Sequence, residues 1–91
     1  MAQVVITLKV MPGSPDTNLG SLEKEASKLV SVFGGEVGKV EVEPVAFGLK
    51  ALKIYFVMDE SKGATDDLEK QISEIEDVNS VEIIDVRRTI G

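Results

Sequence analysis

The chain has 91 residues, with ten lysines and arginines against sixteen acids, a net charge of −6, and neither cysteine nor histidine. That length makes one domain, residues 1–91, able to bury a core without staples. The missing residue types exclude thiol redox chemistry, cysteine nucleophiles, imidazole acid–base catalysis and the usual zinc ligands. The acidic balance opposes nucleic-acid and anionic-membrane binding. With no charged-then-apolar leader and no long apolar run, the chain reads as cytoplasmic.

Residues 3–11 alternate, with Val4, Ile6, Leu8 and Val10 on one face, and predict a half-buried strand. Two prolines and a glycine in Met11-Pro12-Gly13-Ser14-Pro15-Asp16 break it. A helix follows over 19–33, where Leu19, Leu22, Ala26, Leu29, Val30 and Phe33 form one stripe. Asn18 suits its N-cap, and Gly34-Gly35 suits its stop.

Residues 37–43 predict a second, weaker strand with Val40 and Val42 inward, and Pro44 fits only an edge. After the bend Glu43-Pro44-Val45-Ala46-Phe47-Gly48-Leu49 comes a strongly apolar strand over 49–58. Leu52, Ile54 and Phe56 face its core side, and Lys53 and Tyr55 the other. A polar connection, 59–63, leads to a second helix over 65–76 carrying Leu68, Ile72 and Ile75, with Asp66 and Asp67 in its first turn. In the last strand, 80–88, Val86 is out of phase with Val81 and Ile83, which predicts a bulge or a local twist between Ile83 and Val86.

The order β-α-β-β-α-β, with right-handed crossovers, gives an α+β ferredoxin-like sandwich: a four-stranded antiparallel sheet of order 4-1-3-2 with two helices on one face. The other face is expected to stay in water. The Phe47 hairpin and the end of the last strand then lie at opposite ends of the sheet, roughly 25 Å apart for strands of about eight residues.

Two features invite a functional reading. Phe47 is one of four aromatic residues, set in a rigid bend between Pro44 and Gly48. It is either a core residue folded under a helix or an anchor for a partner's pocket. Arg87 and Arg88 are the only arginines, adjacent at the end of the last strand. They either balance local acid or carry a cation into a partner. The carboxylate clusters Asp59/Glu60, Asp66/Asp67 and Glu74/Glu76/Asp77 lack calcium-loop spacing and read as solvated charge. Lys53 and Tyr55 lack the surround of an RNA-binding sheet. No metal or cofactor is expected.

The run Glu43-Pro44-Val45-Ala46-Phe47-Gly48-Leu49-Lys50-Ala51-Leu52, the opening Val10-Met11-Pro12 with Ser14-Pro15-Asp16, and the terminal Asp85-Val86-Arg87-Arg88 resemble archaeal translation elongation factor 1-beta over essentially the whole chain. The resemblance implies the same fold and a guanine-nucleotide exchange factor without covalent chemistry. The implied partner is the elongation factor 1-alpha GTPase; the free factor is expected to be a monomer. It also implies that Phe47, flanked by Pro44 and Gly48, contacts one part of the partner. Arg88 matches a lysine that in eukaryotic relatives enters the partner's magnesium and phosphate region, with Arg87 as a competing candidate. Arginine at that place is a departure from the family pattern. A metabolite-binding module that pairs its sheets in a stable dimer, or a plain scaffolding domain, are the alternatives.

Overall fold

A computed structural model describes residues 3–45, 48–62 and 65–89. Strands β1 (Gln3–Pro12), β2 (Glu36–Pro44), β3 (Lys50–Asp59) and β4 (Val78–Thr89) form one antiparallel sheet in the order β2-β3-β1-β4. Helices α1 (Leu19–Phe33) and α2 (Asp66–Ser73) pack on one face of it. This is the predicted ferredoxin-like arrangement. The edge position of β2 suits Pro44, which has no N–H to give a central ladder.

Alternation decides what is buried. Ile6, Leu8 and Val10 of β1 and Leu52, Ile54, Phe56 and Met58 of β3 meet Leu22, Ala26 and Val30 of α1 and Leu68 and Ile72 of α2. Phe56 is fully buried at the centre, so truncating it to alanine would cost about 3–5 kcal/mol.

Local chemistry fixes the limits of α1. The Asn18 side chain accepts from the Ser21 N–H (3.1 Å), satisfying one of the free donors of the first turn. At the other end Gly34 takes a left-handed conformation (φ 109°). Its N–H donates to the Ser31 carbonyl and the Gly35 N–H to the Val30 carbonyl. This paired closure is the Schellman arrangement.

Four observations depart from expectation. β1 continues into Pro12, which pairs with Val78 across a register shift. A short 3-10 turn, Glu60–Lys62, follows β3, held by the Ser61 N–H donating to Asp59 Oδ1 (2.8 Å). α2 stops at Ser73 instead of Glu76. Its end tightens through bonds from Glu74 N–H to the Gln71 carbonyl and from Ile75 N–H to the Ile72 carbonyl. Glu74, Glu76 and Asp77 beyond it would oppose the dipole of a longer helix. Ile75 still packs on the core from the turn. Finally, the face away from the helices is not simply wet: Thr7 at its centre is only 4% exposed.

The expected bulge in β4 is present. Leu8 pairs with Ile83 and Thr7 with Asp85, leaving Ile84 as the extra residue. The insertion returns Val86 to the helix-side face opposite Ile6, which explains its phase.

Candidate functional site

Pro44 and Gly48, which flank the first sequence feature, and the two arginines fall at opposite ends of the sheet. Pro44 pairs with Lys50 at the hairpin end of β3. At the other end Met58 pairs with Val4, which pairs in turn with Arg88. The eight residue steps from Lys50 to Met58 span roughly 25 Å. Pro44, Gly48 and the arginines therefore do not form one pocket.

At the hairpin end, the Val45 N–H donates to the Leu49 carbonyl (2.8 Å), closing the bend. Gly48 has φ 76°, a conformation that glycine adopts without steric cost. Phe47, the expected anchor, lies outside the described residues. Gly48 and Lys50 share a recess of about 220 Å³ with Pro12, Ser14, Pro15 and Thr17. The Asp16 N–H donates to Ser14 Oγ and the Thr17 N–H to the Ser14 carbonyl, which shapes that second loop. Two motifs more than thirty residues apart in sequence thus build one end surface. Lys53 and Glu43 form an ion pair (3.4 Å) on the sheet behind it.

At the other end, Arg87 and Arg88 separate. Arg87 pairs with Val5, on the face away from the helices. Its Nε–H donates to Asp85 Oδ2 (2.9 Å), and its side chain is 79% exposed. Arg88 pairs with Val4, on the helix side. Its Nε–H donates to Glu60 Oε2 (2.9 Å), and Nη2 donates to the same oxygen, while the side chain remains 69% exposed. Two strand spacings, about 10 Å, separate β3 from β4 across β1. A glutamate and an arginine together bridge that distance.

Glu60 was read from the sequence as solvated charge. Its partner is 28 positions away, and the contact depends on sheet register and on the turn after β3. The signal available in advance was topological: an acid just past the end of β3 and a cation at the end of β4 flank the same end of β1.

The open face carries its own network. Lys39 lies 3.5 Å from Glu41 and 5.6 Å from the centre of the Tyr55 ring. The Tyr55 hydroxyl, then the Lys39 ammonium, hold the Glu41 carboxyl below its ordinary pKa. The bond to Glu41 correspondingly pushes the Tyr55 hydroxyl up. Glu43, first, raises Lys53. Across the sheet, Arg87, Asp85 and Ile84 border a shallow depression with Tyr55, Val5 and Thr7. Thr7 sits between its pairing neighbours, Tyr55 of β3 and Asp85 of β4, in that depression.

Among the described residues no helix is long and apolar enough to cross a membrane. Solved structures with this architecture include the ACT domain of the GTP pyrophosphokinase of Chlorobium tepidum (TM-score 0.62, 12% identity, 90% of this chain and 99% of that one). Another is the C-terminal domain of the MgtC protein of Mycobacterium tuberculosis (TM-score 0.65, 12% identity, 90% and 85%). At such identities these likenesses show the fold alone.

Sequence relatives are far nearer. The elongation factor 1-beta of Methanothermobacter thermautotrophicus is 44% identical over 88 residues, covering 97% of this chain and 98% of the relative. That of Metallosphaera sedula is 43% identical over 91 residues, covering 97% of each. Residues 5–89 match the EF-1 guanine nucleotide exchange domain. That span takes in both helices and the four strands save the first two residues of β1, and by it the chain belongs to the family of EF-1 guanine nucleotide exchange domains.

Proposed function

We propose that this protein is a cytoplasmic translation elongation factor that promotes exchange of GDP for GTP on elongation factor 1-alpha, supporting aminoacyl-tRNA delivery. The observation that carries this reading is the family match over residues 5–89. The geometry suggests how one small domain, monomeric when free, does it. Arg88 works at the partner's switch and magnesium region. The hairpin end, with Phe47, Pro44 and Gly48, holds a second partner domain about 25 Å away.

Exchange needs no covalent step. A factor that binds the nucleotide-free GTPase more tightly than the GDP form weakens GDP by the same coupling factor. GDP is held largely through its phosphates and the bridging magnesium. A cation brought into that region disfavours the metal by like-charge repulsion, and each ~1.4 kcal/mol of coupling weakens nucleotide binding about tenfold. Arginine, a planar fork of donors, supplies charge with direction, so its geometry differs from that of a compact ammonium.

The test is release of a fluorescent GDP from the partner GTPase. Addition of this protein at micromolar concentration is expected to accelerate release, and Phe47→Ala is expected chiefly to raise the concentration needed. Release no faster than the spontaneous rate contradicts the reading.

A further inference from the structure

Glu60 holds Arg88 in a particular way. The guanidinium has five N–H donors arranged along two usable edges. Nε and Nη2 form its side edge, and both donate to Glu60 Oε2. The end edge, made of Nη1 and the second N–H of Nη2, is left outside this contact, on a side chain that is 69% exposed. Glu60 is itself fixed in place: it opens the 3-10 turn that Asp59 secures by accepting from the Ser61 N–H. Arg87 has no such arrangement, with Nε alone donating to Asp85 on the opposite face.

We infer that Glu60 is a positioning residue, which grips the side edge of Arg88 and presents its end edge to a two-oxygen anion on the partner. The inference rests on the exchange reading above and adds what kind of group Arg88 meets. Two parallel N–H donors match the oxygens of a phosphate or a carboxylate, whereas a bare metal ion has no lone pair to accept from them. A lysine at position 88 gripped by Glu60 would retain charge but present no second fork. The arginine and Glu60 are thus a matched pair.

The clamp is tested first in the free protein, by the side-chain Nε–H resonance of Arg88 in nitrogen-15 NMR. It is expected to be distinct and slowly exchanging, and to shift and exchange faster in Glu60→Gln, while the Arg87 signal, held by Asp85, stays where it is. No change on substitution overturns the inference. The second measurement is GDP release from elongation factor 1-alpha against factor concentration. Glu60→Gln is expected to lower the maximal rate about threefold to tenfold through lost orientation, with the half-saturating concentration moving less than about twofold. Arg88→Lys is expected to behave similarly and to gain no further loss in the Glu60→Gln background.

The source of the anion separates in the complex with nucleotide-free partner. If the fork meets a nucleotide phosphate only as GDP leaves, Glu60→Gln slows release yet leaves that complex as tight as before. If it meets a partner carboxylate, the complex weakens as well. Should Arg88→Ala slow release while Glu60→Gln leaves it unchanged or raises it, this inference alone fails. Should Arg88→Ala leave release untouched, the placement of Arg88 at the exchange site fails and takes this inference with it.

Discussion

Arg87 and Arg88 are chain neighbours, and the strand sends them to opposite faces of the sheet. One partner site therefore cannot use both in the same way. Arg88→Ala is expected to slow nucleotide release at least tenfold, the scale of ~1.4 kcal/mol of lost coupling, while Arg87→Ala changes it less than about twofold. The open face makes a separate residue-scale prediction. Glu41 has a lowered pKa in the fold, so its contribution to stability is present above 4.5, its ordinary value, and is lost as pH falls through the lowered one. Tyr55 has the opposite sign: raised from 10.0, it contributes below that value and loses the contribution as pH rises through the higher one. Tyr55→Phe is thus expected to lower the melting temperature modestly near pH 7, and the difference should shrink below pH 4.5. A difference that stays constant into acid would show that the bond to Glu41 is not its cause.

Among the elements, the end of α1 is the most sharply determined. A Cβ on Gly35 would lie 2.9 Å from Val30 Cγ1 and 3.0 Å from Phe56 Cδ2, two fully buried side chains with no room to retreat. Gly35→Ala is therefore expected to destabilise by about 1–3 kcal/mol, read by chemical denaturation. Gly48 differs, because among the described residues its Cβ would meet nothing within 4 Å, and the positive φ is what resists substitution. Gly48→Ala should cost about 1–2 kcal/mol of stability through that φ, so a loss of partner binding measured where the variant is still folded is a contact effect. These elements also show what a sequence can convey. The out-of-phase Val86 revealed the bulge, because a period of two leaves no other way to bring it to the same face. The end of α2 stayed hidden, because Ile75 keeps its place in the apolar stripe while the backbone has already turned. The Glu60–Arg88 pair was hidden for another reason. Exposed acids are abundant in this chain, and only the three-dimensional register selects one of them.

At the scale of the whole molecule, a sheet about 25 Å from end to end separates the two surfaces proposed to meet the partner. That separation was legible from the order of strands alone, since the hairpin and the last strand end must lie apart in this topology. The convergence of the Pro12–Pro15 loop with Gly48 and Lys50 was not, as it depends on how the loops fold over the end of the sheet. Stop-flow release of fluorescent GDP from elongation factor 1-alpha, titrated with this protein and its Arg88→Ala and Phe47→Ala variants, tests the account most directly. The account predicts that the native protein accelerates release, that Arg88→Ala lowers chiefly the maximal rate, and that Phe47→Ala chiefly raises the half-saturating concentration. A native protein that leaves release at its spontaneous rate, or two variants that behave like the native protein, would contradict it.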